Sequence, residues 1–183
     1  LQRNVLGPLN AQQHDALNTM KDNIFAGLDL SEKILNARNL DNHSVVLSLE
    51  PMSINQFLEK CSTNNQILAG KKSIEIIFDP GDDVELNLDP LRMRQIINNL
   101  LQNAIKFSNS RKKITIKTIK SNNEFKISIQ DEGQGIKEDE LPRIFEKFKQ
   151  VSTKSTAGEK GLGIGLSIVK DLIELHNGTI DVQ

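Results

Sequence analysis

The chain has 183 residues, enough for one well-packed domain and a further helical element. Its 23 Lys and Arg nearly balance its 24 Asp and Glu, and it has 7 Phe but neither Trp nor Tyr, which argues against a nucleic-acid-binding protein. The single cysteine, Cys61, cannot form an internal disulfide, so we expect a buried thiol in a reducing, cytoplasmic setting.

No apolar run approaches the roughly 20 residues that cross a bilayer, and no signal peptide is visible. The sequence begins without Met and stops inside an expected strand, so we interpret it as a C-terminally truncated fragment. Whether the parent protein is anchored in a membrane therefore stays open.

The first part of the chain, residues 1–48, is predicted to be a separate helical segment. Between residues 11 and 39 there is no proline, and apolar residues recur in steps typical of one helical stripe. They are Leu17, Met20, Ile24, Leu28, Ile34 and Leu35. A long helix with one apolar stripe needs a helical partner from this chain or from a second copy.

Residues 49–183 predict an α+β domain. A Ser53–Gln56 capping box starts one helix, and Asp89–Pro90 starts another, which runs to about Phe107. The predicted strands cover 73–78, 84–88, 113–119, 124–129 and a last one from Thr179, with the first two joined by a turn at 80–83 and a short helical region at 138–148. We expect a two-layer α/β sandwich, a mixed sheet with helices on one face.

A carboxylate and two glycines end the fourth of these strands. In the sequence Asp131-Glu132-Gly133-Gln134-Gly135-Ile136, the glycines allow positive φ and a close approach of a flat ligand. Asp131 is placed to accept a hydrogen bond from an amino group in a pocket. An ordinary turn explains the same residues, so this motif alone leaves both interpretations open.

The helix that starts at Asp89 has a polar face that simple amphipathicity does not require. Asn99, Asn103 and Lys106 share that face, since they are spaced by four and three residues. An Asn oxygen with nucleotide phosphates suits Mg²⁺, and a Lys supplies a point charge to phosphate. A solvated helix face is the alternative.

A second glycine-rich stretch, Gly161-Leu162-Gly163-Ile164-Gly165-Leu166, opens the last helix. Backbone N–H groups at a helix start form a phosphate-binding site. No strand directly precedes this stretch and it lacks Gly-Lys-Ser/Thr, so it is neither a Rossmann nor a Walker motif. It closes a polar segment, about 149–162, which we expect to be a mobile lid over a ligand.

Together with Ile144-Phe145-Glu146-Lys147-Phe148, these motifs stand in one order that closely resembles the ATP-binding catalytic domain of sensor histidine kinases. That domain belongs to the larger group with gyrase, Hsp90 and MutL, and has a Bergerat-type fold. The motifs correspond to its N, G1, F and G2 boxes. The resemblance covers about residues 50–183.

The resemblance implies the ligands ATP and Mg²⁺ and a role for each matching residue. Asn99 and Lys106 would be catalytic and contact phosphates, while Asn103 would hold Mg²⁺. Asp131 would bind the adenine amino group, with Gly135 and Ile136 lining the base pocket. The remaining nucleotide-binding positions would be Gly133, Phe148 at the start of the lid, and Gly161, Leu162, Gly163, Gly165 and Leu166. Phe145 would anchor the lid or belong to the core, and Lys149, Lys154 and Lys160 would reach phosphate or remain solvated.

One departure within the larger group points to phosphoryl transfer. Its hydrolysing members carry a Glu four residues before the Mg²⁺-binding Asn, where this chain has Asn99, which cannot act as a general base. The implied activity is γ-phosphoryl transfer from ATP to a histidine on a dimerisation helix of the same, homodimeric protein, for relay to a response regulator or receiver domain. The alternatives are an ATP-hydrolysing clamp or chaperone relative and a non-catalytic nucleotide-binding interaction module.

The phosphoaccepting histidine is not evident. His14-Asp15-Ala16-Leu17-Asn18 resembles the family's acceptor pattern, but too few residues follow His14 for a complete two-helix hairpin before the catalytic domain. We therefore interpret residues 1–48 as the second hairpin helix and His14 as a surface residue. Autophosphorylation by this fragment alone stays an open question.

Overall fold

The computed structural model describes residues 10, 12–20, 24, 27, 45–121, 124–149 and 163–183. Residues 12–20 are helical and form α1. The elements that follow are β1 (Glu50–Ser53), α2 (Ile54–Gly70), β2 (Glu75–Asp79), β3 (Glu85–Leu88), α3 (Pro90–Phe107), β4 (Lys113–Lys120), β5 (Phe125–Asp131) and α4 (Gly165–Leu175).

The first helix begins with a reciprocal capping pair. The Asn10 side chain accepts from the Gln13 N–H at 2.8 Å, and the Gln13 side chain accepts from the Asn10 N–H at 3.0 Å. Residues 24 and 27 are also helical, in agreement with the predicted long helix. The rest of that prediction falls outside the described residues.

The starts of α2 and α3 follow their predicted caps. The Ser53 hydroxyl accepts from the Gln56 N–H, and the Asp89 carboxylate accepts from two N–H groups of the first turn of α3. At the end of α4, Asn177 takes φ of 58° and Gly178 N–H donates to the Ile173 carbonyl at 2.9 Å. This is a Schellman motif, which stops the helix at Asn177 and Gly178.

The strands form two ladders. β2 pairs parallel with β4, which pairs antiparallel with β5, so the larger sheet is mixed as predicted. β2 and β3 do not form a hairpin across the turn at 80–83, because β3 pairs instead with β1. Residues 50–53, where the sequence predicts no strand, form that partner strand.

Alternation along the strands places the helices on one face of the larger sheet. Ile76, Ile114 and Ile116 are buried and belong to the same core cluster as residues of α2, α3 and α4. The other face is largely polar. There Lys113 of β4 forms a salt bridge with Glu75, the residue opposite it on β2. The predicted α+β sandwich with helices on one face is therefore confirmed.

Two further local expectations differ from the structure. Residues 138–148 contain only a 3-10 helix at Leu141–Arg143 among turns, because Pro142 lacks the N–H that a continuing helix needs. Residues 179–183 form no ladder with the described strands. Their alternating pattern favours extended backbone, but a strand also needs a partner, which local sequence does not specify.

The start of α3 is a buried junction of three segments. The Asp89 carboxylate accepts from Leu91 and Arg92 N–H and, through its second oxygen, from Ser48 N–H at 3.0 Å. The Asp89 N–H in turn donates to Nε2 of His176 at 3.1 Å. Burial acts to raise the pKa of Asp89, but these donors and the Arg92 charge outweigh it and leave the pKa below its ordinary value.

Cys61 is buried on α2, as predicted, and burial raises the pKa of its thiol despite the opposing charge of Arg94. None of the described helices has the length and apolar character needed to cross a membrane.

Candidate functional site

The carboxylate of Asp131 lies at the end of β5, opposite Ile114 of β4. Its Oδ1 accepts from the Gly133 N–H at 2.8 Å, a local turn that fixes the side chain at the strand end. The residue is exposed, and its Oδ2 has no donor among the described residues. One carboxylate oxygen is thus oriented by the fold, and the other is available to a ligand.

The two glycines after Asp131 serve different geometric needs. A Cβ on Gly133 would lie 2.9 Å from the carbonyl oxygen of Phe107, so only glycine lets this turn touch the end of α3. Gly135 has open space around its Cα but takes φ of 70°, which disfavours other residues. The structure therefore joins the G1 motif to the last turn of α3.

The polar face of α3 is half-buried, with Asn99, Asn103 and Lys106 on it in succession. Asn99 donates from Nδ2 to the Gln95 carbonyl at 2.8 Å. The Asn103 side chain has no hydrogen-bond partner among the described residues, so its amide oxygen fits the hard, oxygen-seeking character of Mg²⁺. The Lys106 ammonium lies 5.5 Å from the Phe107 ring centroid.

The N-terminus of α4 meets the same face of α3. A Cβ on Gly165 would lie 3.0 Å from Oδ1 of Asn99, so glycine permits this close approach. The N-cap residue Ile164 makes no side-chain cap hydrogen bond, so the N-cap itself does not satisfy the first-turn N–H groups. Such a helix end attracts phosphate, as the sequence predicts.

The F motif is joined directly to the second glycine stretch. The Phe148 N–H donates to the Gly163 carbonyl at 2.9 Å. Gly163 has φ of 70°, and a Cβ there would collide with the backbone of Lys149. Phe148 itself has φ of 63° and is 71% exposed, a strained conformation for an aromatic residue beside a candidate ligand site.

The remaining predicted residues divide into two groups. Ile136 is 37% exposed after the Asp131 turn, and Leu166 is half-buried in the first turn of α4. Phe145 is half-buried, which is compatible both with anchoring the lid and with belonging to the core. Gly161, Leu162, Lys154, Lys160 and nearly all of the predicted lid lie outside the described residues.

One residue that contacts the end of α3, Lys72, is not predicted by any pattern in the sequence. The Lys72 ammonium donates to the carbonyl oxygens of Ile105 and Lys106 at the end of α3. A lysine just after a helix end resembles any solvated lysine, so periodicity and motif spacing do not distinguish it. Only the tertiary fold brings it to α3.

The sequence from residue 88 to 183, just over half of the chain, matches the family described as histidine kinase-, DNA gyrase B- and HSP90-like ATPases. The circadian input-output histidine kinase CikA of Synechococcus elongatus is 29% identical over 190 residues, which cover 100% of this chain and 25% of that protein. The sensor protein kinase WalK of Staphylococcus haemolyticus is 31% identical over 154 residues, covering 82% of this chain and 25% of WalK.

A solved structure gives the same result. Full-length ShkA in complex with AMPPNP superimposes with a TM-score of 0.78 at 28% identity, over 91% of this chain and 35% of that one. The chain spans about a quarter of the length of the relatives CikA and WalK. Contacts join α3 to both glycine motifs, and the F motif to the second of them. The chain belongs to the histidine kinase-, DNA gyrase B- and HSP90-like ATPase family and matches the ATP-binding catalytic part of sensor histidine kinases.

Proposed function

We propose that residues 49–183 bind ATP with Mg²⁺ between α3, the Asp131 turn and the start of α4, as the catalytic domain of a sensor histidine kinase. The observation that carries this proposal is a set of three contacts. Phe107 meets Gly133, Asn99 meets Gly165, and Phe148 meets Gly163. Residues from four separate motifs thus surround one region.

Different residues bind different parts of the nucleotide. Oδ2 of Asp131 accepts the adenine amino hydrogen, and Ile136 contacts the base. Lys106 and Asn99 lie on the α3 face that would meet the phosphates, and Asn99 is close to the N-terminus of α4 at Gly165. Asn103 holds Mg²⁺, which supplies charge neutralisation for the phosphates when bound.

The reaction is transfer of the γ-phosphoryl group to a histidine nitrogen. The bond from phosphorus to the β,γ-bridging oxygen breaks, the phosphorus–nitrogen bond forms, ADP leaves and the imidazole N–H proton passes to solvent. The chain positions the reactants and balances charge, with no general base required at Asn99. That residue already donates to the Gln95 carbonyl, and an amide cannot activate water by removing its proton.

The acceptor belongs to a dimerisation hairpin of the parent protein, of which residues 1–48 are the second helix. The alternative is that this fragment carries its own acceptor. His14, which is exposed on α1, is the residue at which that alternative can be tested. Transfer onward to a response regulator or receiver domain, a homodimeric parent and a cytoplasmic location complete the proposal.

The experiment is incubation of the chain with γ-labelled ATP and Mg²⁺, alone and with a separate histidine-bearing dimerisation hairpin. We expect an acid-labile, base-stable phosphoprotein on the hairpin and none on a hairpin whose histidine is replaced by Gln. Label on this chain that disappears in His14→Gln would make His14 the acceptor. Steady-state phosphate release with no phosphoprotein would favour the hydrolysing alternative, and absence of ATP binding at millimolar concentration would favour the non-catalytic one.

A further inference from the structure

The last turn of α3 is capped by a side chain from another element. The final four carbonyls of a helix have no intrahelical partner, and a cation there is also favoured by the helix dipole. The Lys72 ammonium donates to the Ile105 carbonyl at 2.9 Å and to the Lys106 carbonyl at 3.0 Å. Lys72 thus satisfies two of these carbonyls at once.

The residue at the C-cap itself does not perform this task. Ser108 donates its N–H to the Ala104 carbonyl at 3.0 Å, but its buried hydroxyl has no hydrogen-bond partner among the described residues. The left-handed residue that ends α4 at Asn177 also has no counterpart here, since Ser108 has extended backbone with φ of −83° and no positive φ occurs at Asn109. Within the described part of the chain, Lys72 is the side chain that caps these carbonyls.

The backbone that carries Lys72 is fixed on both sides. The Ser73 N–H donates to Gly70 and the Ile74 N–H to Ala69, each at 3.0 Å, which closes the turn after α2. The Gln66 side chain holds the start of β2: its Nε2 donates to the Ile74 carbonyl, and its Oε1 accepts from the Ile76 N–H. The half-buried Lys72 side chain therefore extends toward α3 from an anchored turn.

The capped turn is the one that the candidate site is built on. It contains Lys106 and Phe107, whose carbonyl meets Gly133 next to Asp131. Asn103 lies one turn earlier. A shift of this turn would change the distance between the phosphate face of α3 and the adenine-binding carboxylate.

We propose that Lys72 is a positioning residue for nucleotide binding: its ammonium clamps the C-terminal turn of α3 so that the α3 polar face and the Asp131 turn keep a fixed separation. This inference rests on the proposed function. It assigns no direct contact between Lys72 and the nucleotide.

The chain offers a matched control in Lys71. It is the exposed neighbour in the same turn, with the same charge, and it lacks the contact with α3. We would compare Lys72→Met, Lys72→Arg and Lys71→Met in the full chain, with ADP and Mg²⁺ as the probe. All measurements are made well below the melting temperature of each variant.

For Lys72→Met we expect about a fivefold weaker ADP affinity and faster hydrogen exchange of the Phe107 and Ser108 amides in the ligand-free protein. Lys72→Arg, which keeps charged donors, should recover most of both effects. Lys71→Met should stay within about twofold of the unchanged chain, since a distant charge is screened.

Equal ADP affinity and exchange in Lys72→Met and the unchanged chain would overturn the proposal. So would an equal loss in Lys71→Met, which would assign the effect to charge alone. If the unchanged chain binds no ADP, the proposed function fails, whereas the exchange measurement still decides whether Lys72 holds the end of α3. If Lys72→Met does not fold, Lys72→Arg carries the test, and weak binding by a folded Lys72→Arg with unchanged exchange would contradict the clamp.

Discussion

The two ends of α3 are held by opposite means. At its start, the buried Asp89 uses both carboxylate oxygens and its N–H for hydrogen bonds to its own helix, to Ser48 and to His176. At its end, Asn103 keeps an unpartnered amide among the described residues, and the carbonyls are capped from a distance by Lys72. One helix thus has an end whose polar groups are consumed by folding and an end where, by our proposal, the Asn103 amide remains for a ligand.

This difference predicts where substitutions act. Changes at the start of α3 should lower the free energy of unfolding and leave nucleotide affinity nearly unchanged. Changes around its end should lower nucleotide affinity at little cost in stability. Four substitutions test this division, beginning with the largest expected effect.

The largest effect should follow Asp131→Asn. The new amide can still accept from the Gly133 N–H, so the turn should keep its shape, but an N–H₂ group replaces the free carboxylate oxygen. A hydrogen bond to a charged group contributes about 1.5–3 kcal/mol, so ADP affinity should fall roughly 10- to 100-fold. Isothermal titration calorimetry measures it, with thermal denaturation to show that stability is kept.

Glu132→Gln is the matched control for that experiment. Glu132 is the neighbouring exposed carboxylate, and it accepts a hydrogen bond from the N–H of Lys113, the first residue of β4. Its variant should bind ADP as the unchanged chain does. Unaltered ADP affinity in Asp131→Asn would refute the assignment of Asp131 to adenine.

Asp89→Ala should produce the largest loss of stability. It removes the cap of α3 and the acceptor for Ser48 N–H together, and a lost cap alone costs about 0.5–2 kcal/mol. We expect about 2 kcal/mol in urea denaturation, with ADP affinity of the folded variant within about twofold. A large fall in ADP affinity at full stability would break the division between the two ends.

Asp82→Ala provides the comparison for Asp89. Asp82 is an exposed carboxylate in the loop between β2 and β3 and is expected to change stability by less than about 0.5 kcal/mol. A loss equal to that of Asp89→Ala would point to net charge as the cause.

The start of α3 was predictable from sequence, whereas the completed site was not. Asp89-Pro90 is a local signal, because the cap and the first turn lie within four residues of each other. The Asp131, Asn103 and Gly163 motifs were identified by resemblance to a family, and the sequence order of such motifs carries no distances. Lys72 had no signal because its contact joins residues 33 and 34 positions apart.

The sheet shows the same limit. Alternation located β4 and β5 correctly, and the two strands, which are neighbours in sequence, pair antiparallel. It missed β1, the partner of β3, because residues 50–53 contain Pro51 and no clear alternation. Pairing between distant strands depends on burial in the whole domain, which a local pattern does not encode.

A smaller loss of stability should follow His176→Leu. Nε2 of His176 accepts from the Asp89 N–H, and Nδ1 lies 2.8 Å from the Leu172 carbonyl, so the ring fits the neutral tautomer protonated at Nδ1. Leu leaves the Asp89 N–H without an acceptor, at about 1 kcal/mol. His176→Gln retains an acceptor and should lose less in urea denaturation; equal losses for both variants would assign the effect to packing.

The smallest effect is a pH dependence located at the start of α3. Since hydrogen-bond donors hold the pKa of Asp89 below its ordinary value, about 3.9, the ionised carboxylate stabilises the folded state above that pH. As pH falls through the lower folded-state pKa, the proton enters and this contribution is lost. The difference in unfolding free energy between the unchanged chain and Asp89→Asn should therefore be constant from about pH 6 to 5 and shrink below about pH 4. A difference that stays constant to pH 3 would show that the Asp89 charge does not hold the junction, and that its hydrogen-bonding shape alone separates the two ends of α3.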